Sequence, residues 1–176
     1  MKNRKGNGTR VVCWCLFAMY LAALLYFLFF AESTGRTFTE RTYQYNLRPL
    51  HEIRRFIVYR RQLGFAAVTL NLVGNVAAFV PFGLFLPLLL RDLRYFWKTV
   101  LLGFEFSLLV EIVQLFGKVG SFDVDDILLN TLGAALGYAA FRMLTALRKS
   151  GRARREQTEK RPDAGEGTDE KEGEKR

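Results

Sequence analysis

Residues 62–90, QLGFAAVTLNLVGNVAAFVPFGLFLPLLL, run for 29 positions without a charged side chain. A helix rises 1.5 Å per residue, so about twenty such residues cross the roughly 30 Å hydrocarbon layer of a bilayer. Pro81 and Pro87 fall inside the run. Each removes a backbone donor, so a kink is expected there. Working outward, Val11–Phe30 is also free of charge, and Thr99–Gly117 and Asp123–Leu147 are predominantly apolar. The pattern predicts an all-α, polytopic bundle of about four transmembrane helices.

Most of the charges sit outside these runs. Half the residues are hydrophobic and 24% are charged, with a net charge of +9. Basic residues flank apolar spans instead of lining a soluble face, which argues against nucleic acid and for membrane lipids as the partner. Lys2, Arg4, Lys5 and Arg10 precede the first run. That run is too long for a signal-peptide core and lacks a small-x-small cleavage site, so a retained span is expected. The basic N-terminus (1–10), the Arg91–Lys98 turn and the Arg148–Arg155 segment are assigned to the cytoplasmic side, giving a multi-pass cell-membrane protein with both termini cytoplasmic. The 32–64 connection opposes this, with seven arginines against three glutamates. Within it Leu50, Ile53, Phe56 and Ile57 recur at helical spacing beside arginines. This predicts a short amphipathic helix, lying either at the membrane interface or on the bundle. The transmembrane domain is thus expected over 11–147. Residues 148–176, rich in Gly, Glu, Lys and Arg, are expected to be a disordered cytoplasmic tail. Cys13 and Cys15, two apart on a helix, point away from each other and are read as packing residues, with acylation as the alternative, not as a disulfide.

Polar residues inside the spans carry the functional signal, because an unpaired polar group in hydrocarbon is costly. Asn71 and Asn75 are four apart on the second span. On the third, Ser107, Glu111, Gln114 and Lys118 fall in a stripe about 60° wide, and on the fourth Asp126, Asn130, Gly133 and Gly137 fall in another. Helical rise puts Asn71, Asn75, Glu111, Gln114, Asp126 and Asn130 at about 5–15 Å from one membrane side, the outer leaflet in the orientation above. A polar cavity is expected there. Asn71, Gly133 and Gly137 are read first as helix-packing residues. Asp123 would cap the fourth helix, and Glu105 would pair with a basic residue of the Arg91–Lys98 turn. Glu111 is expected opposite Asn75 and Asp126/Asn130, where desolvation and the nearby Asp126 carboxylate favour a neutral acid that could donate a hydrogen bond to Asn75 or Asn130. Glu111 and Asp126 are the candidate acid/base pair, and the aspartates could also offer oxygen ligands to a hard divalent ion. There is no Ser-His or Cys-His pair, no phosphate-binding glycine loop and no cysteine/histidine metal spacing, and the lone His51 lies in the long connection. No metal or cofactor is expected.

Three blocks occur in order: Asn71-x-x-x-Asn75 leading to Phe79-Val-Pro81-Phe-Gly83-Leu-Phe-Leu-Pro87; Glu111-Ile-Val-Gln114; and Ser121-Phe-Asp123-Val-Asp125-Asp126-Ile-Leu-Leu-Asn130-Thr-Leu-Gly133-x-x-x-Gly137. Over about residues 65–140 the chain resembles the VanZ-like family of bacterial membrane proteins. It departs from the family pattern just before the aspartate block, where Lys118-Val-Gly120 stands in place of a frequent arginine. The resemblance implies a cell-envelope protein, the founding members being linked to teicoplanin-type glycopeptide resistance.

Three functions compete. One is a non-enzymatic protein that binds a lipid, a lipid-linked cell-wall intermediate or a glycopeptide through Asn71, Asn75, Glu111, Gln114, Asp123, Asp126 and Asn130. The second is a membrane enzyme acting on a lipid-linked phosphate or sugar through Glu111 and the Asp123–Asp126 cluster. The third, proton-coupled transport, would need a homo-oligomer, since four spans show no inverted repeat. The topology has a direct test. With Cys13 and Cys15 replaced by Ser, single cysteines at Ser121 and Ser150 should label from opposite sides of the membrane; same-side labelling contradicts the four-span reading.

Overall fold

The structure is a computed structural model describing residues 4–31, 45–63, 65–118 and 120–159. Helix α1 spans Arg4–Tyr26 and continues as a π-helical turn, Phe27–Ala31. A two-residue strand β1, Tyr45–Asn46, precedes α2 (His51–Val58) and α3 (Arg60–Leu63). Helix α4 covers Phe65–Leu89, passing through Pro81 and Pro87. A 3₁₀ turn at Arg91–Leu93 leads to α5, Phe96–Gly117. Strand β2, Phe122–Asp123, then leads to α6, Val124–Glu159.

Among the described residues, four helical stretches are long and apolar enough to cross a membrane: Arg10–Phe29, Asn71–Leu89, Phe96–Gly117 and Val124–Gln157. The all-α, four-span expectation therefore holds. The small exception is a parallel pairing of β1 with β2, Tyr45 opposite Phe122 and Asn46 opposite Asp123.

The chain divides into two units, 1–141 and 142–176. In the first, Phe17, Leu24, Phe79, Phe82, Leu86 and Leu89 form the apolar core, drawing α1 against α4. Phe106 of α5 stacks on Phe82 with ring centroids 5.1 Å apart. Tyr20 extends the contact by donating its hydroxyl to the Ala78 carbonyl at 2.6 Å. Ala78 lies in the turn before Pro81, whose missing N–H and bulky ring loosen the local ladder.

Helices α4 and α6 meet backbone to backbone. A Cβ on Gly133 would strike the Val76 carbonyl oxygen, and one on Gly83 the Ala134 carbonyl oxygen. Only glycine permits this approach, so the packing role expected of Gly133 is observed. At the far end of these helices Tyr138 donates to the Arg94 carbonyl and Thr99 to the Leu93 carbonyl, both at 2.6 Å, pinning the short α4–α5 turn. Glu105 is exposed on α5 and, among the described residues, makes no ion pair, contrary to expectation.

The second unit corrects one boundary. Instead of ending near Leu147, α6 remains helical to Glu159, so the expected disorder does not begin at 148. Lys, Arg, Glu, Gln and Ala are good helix formers, and Arg152 bonds Glu156 at 3.3 Å with the favourable i,i+4 spacing. The remainder of the expected tail, 160–176, lies outside the described residues.

Candidate functional site

The polar residues gather where α4, α5 and α6 approach β1, β2 and the start of α2. Asp123 occupies the N-cap position of α6: its Oδ1 accepts the Asp125 N–H at 2.8 Å, as the sequence predicts. The same oxygen accepts the Asn46 amide at 3.2 Å, and the Asn46 side-chain oxygen accepts the Arg48 N–H at 3.2 Å. Asn46 thus ties the long connection to the α6 cap.

Asp125 does more. It is buried to 1% exposure, and its carboxylate accepts three backbone amides: Leu50 through Oδ1, and Glu52 at 2.7 Å and Ile53 at 3.1 Å through Oδ2. These are amides at the N-terminus of α2, which its own N-cap, Leu50, cannot satisfy with a side chain. A carboxylate there also meets the positive end of the helix dipole. Leu50 adopts a left-handed backbone, φ 64°. For a leucine this costs about 1–3 kcal/mol and persists only when neighbouring bonds over-determine it; the three bonds to Asp125 do so.

Glu111 is nearly as buried, at 3% exposure, and its Oε2 accepts the Asp123 N–H at 2.9 Å. It therefore holds the α5–α6 turn. Among the described residues Asn130 Oδ1 receives no bond from Glu111, contrary to expectation, and the side-chain NH2 groups of Asn75 and Asn130 donate elsewhere. Asn75 donates to Asp126 at 2.5 Å, joining α4 to α6. Asn130 donates to Ser107 at 2.9 Å, joining α6 to α5. Gln114 points elsewhere, donating to the Leu28 carbonyl at 2.8 Å in the π-helical turn that ends α1. Asn71 is exposed on α4 and takes no part in this layer.

The layer contains one orphan. Asn130 is 1% exposed, and among the described residues its Oδ1 has no hydrogen-bond partner. An unsatisfied buried acceptor costs about 1–3 kcal/mol. Reversing the amide would only transfer the deficit to its nitrogen.

Sequence reasoning missed Asp125 as the pivotal carboxylate and Asn46 altogether. Asp125 lies about 100° around the helix from Asp126, off the stripe that carries Asn130. Its partners are backbone amides, which no side-chain pattern reveals. Among the described residues, no group of three or more His, Cys, Asp or Glu side chains could hold a metal ion.

A four-span helical bundle with a hydrogen-bonded polar layer between its helices defines a polytopic membrane protein. The chain belongs to the VanZ/LLP1 family, whose model matches residues 17–145. It is 28% identical over 127 residues to Protein VanZ of Enterococcus faecium, an alignment covering 69% of this chain and 68% of that one. No solved structure matches it significantly.

The cap has a pH signature. Burial chiefly, with the Asp125 and Glu52 charges adding to it, pushes the Asp123 carboxyl above its ordinary 3.8, and the bonds from the Asp125 N–H and Asn46 offset this only in part. Below pH 3.8 both folded and unfolded chains carry the neutral acid. As pH rises from 3.8 through the higher folded value, the unfolded chain ionises first and this contribution to stability is lost. Asp123→Asn keeps an acceptor for both partners. In detergent, its melting temperature relative to wild type should therefore be higher at about pH 7 than at about pH 4; a pH-independent difference contradicts the assignment.

Proposed function

We propose that the protein binds the polar headgroup of an envelope lipid or lipid-linked cell-wall intermediate at the layer between α4, α5 and α6, and that it thereby alters susceptibility to teicoplanin-type glycopeptides. The observation that carries this reading is the unpaired Asn130 Oδ1. Buried acceptors are almost always satisfied, by protein, ordered water or ligand. A headgroup hydroxyl or amide reaching this level would supply the missing donor. The arginine-bearing connection, held against the same layer through Asp125, brings Arg48 and Arg54 nearby in the chain for phosphate contacts. The family relationship supports the envelope setting.

An enzymatic role through Glu111 and the Asp123–Asp126 cluster is less well supported. Glu111, Asp123 and Asp125 each accept backbone amides, and a carboxylate engaged in this way is poorly placed to move protons.

The test separates binding from packing. Replacing both members of a buried hydrogen-bonded pair by apolar groups is nearly neutral for stability. The double variant Ser107→Ala/Asn130→Leu should melt in detergent close to wild type. In a teicoplanin-susceptible host, wild type should raise the inhibitory concentration and this variant should not. A variant that is folded and fully effective overturns the proposal. A folded Glu111→Gln protein that loses the effect would favour the enzyme instead.

A further inference from the structure

The extension of α6 carries a second polar surface of opposite character. Helix α6 is 36 residues long, which corresponds to about 54 Å. The hydrocarbon layer takes up only about 30 Å of that. The final turns must therefore lie outside it, and their composition changes accordingly. Met143, Leu144 and Leu147 are exposed and apolar. Five basic residues follow, Arg148, Lys149, Arg152, Arg154 and Arg155, against the single acid Glu156 through residue 157.

Arg148, Arg152 and Arg155 recur at i, i+4 and i+7, within an arc of about 60° on the helix. With Gly151 they line one recess. A Cβ at Gly151 would meet nothing within 4 Å, so the floor of the recess is open. Arg152 touches Glu156, but both side chains are largely exposed, at 84% and 62%. Such a pair contributes little and yields readily to a better partner. A planar guanidinium presents paired donors that match two phosphate oxygens, and three of them share this face of the helix.

We propose that Arg148, Arg152 and Arg155 form a binding site for the phosphate of anionic lipid headgroups at the membrane surface where α6 emerges. This site is independent of the polar layer and does not rest on the function proposed for it. Nucleic acid, the other phosphate source, fits less well, because the arginines follow directly on an apolar span.

Hydrogen exchange on the full-length protein in nanodiscs tests it. Adding phosphatidylglycerol to phosphatidylcholine discs should slow amide exchange over residues 148–157 about tenfold. High salt should reverse the effect through screening, and the triple variant Arg148→Gln/Arg152→Gln/Arg155→Gln should lack it while α4 and α5 exchange as in wild type. Equal exchange in the two lipid compositions overturns the proposal. So does protection produced in phosphatidylcholine discs by an RNA oligonucleotide or by inorganic phosphate, but not by phosphatidylglycerol.

Discussion

The Asp125 carboxylate lies buried at the start of α6 and takes up the amides of Leu50, Glu52 and Ile53. Three donors around one carboxylate offset much of the cost of burying it, which would otherwise amount to several kcal/mol. Each is a charge-assisted bond contributing about 1.5–3 kcal/mol. The residues bonded lie more than seventy positions earlier in the chain, so this contact, with the Asn46–Asp123 bond and the two-residue strand pair, determines where the long connection sits. An arginine-bearing amphipathic helix is thereby held to the polar end of the bundle instead of drifting along the membrane surface.

Beneath that attachment the polar side chains work in pairs. Asn75 with Asp126 joins α4 to α6, Asn130 with Ser107 joins α6 to α5, Glu111 fixes the α5–α6 turn, and Gln114 reaches α1. Helices in lipid gain little from apolar burial alone, so close glycine contacts and interhelical hydrogen bonds carry much of their association. The glycine crossing of α4 and α6 and the bonded layer beside it supply both. Asn130 Oδ1 departs from this pattern: it is a buried acceptor left unpaired among the described residues of an otherwise bonded layer. Natural proteins tolerate such local deficits chiefly at functional sites.

The spans were legible because predominantly apolar runs of bilayer length match the hydrocarbon layer. The convergence of Asn75, Glu111, Asp126 and Asn130 was legible from helical stripes and depth. Individual pairings were not, since a stripe about 60° wide cannot choose among neighbours that differ by a fraction of a turn. Asn71 shares a face with Asn75 by the same arithmetic yet is exposed, and helical spacing alone does not distinguish the two. Asp125 escaped because its partners are main-chain amides of a distant loop. The helical continuation to Glu159 is hidden by a charged composition that disordered segments share, although helix propensity and i,i+4 pairing favour extending a helix already nucleated within the span.

The dependence of the α2 connection on Asp125 is tested most directly by hydrogen exchange in an Asp125→Ala protein. The amides of Leu50, Glu52 and Ile53 lose their acceptor in this variant. Exchange over residues 50–58 should quicken at least about tenfold, the kinetic equivalent of losing one charge-assisted bond, while α4 and α5 remain protected. Unchanged protection over residues 50–58 in a folded Asp125→Ala protein would contradict it.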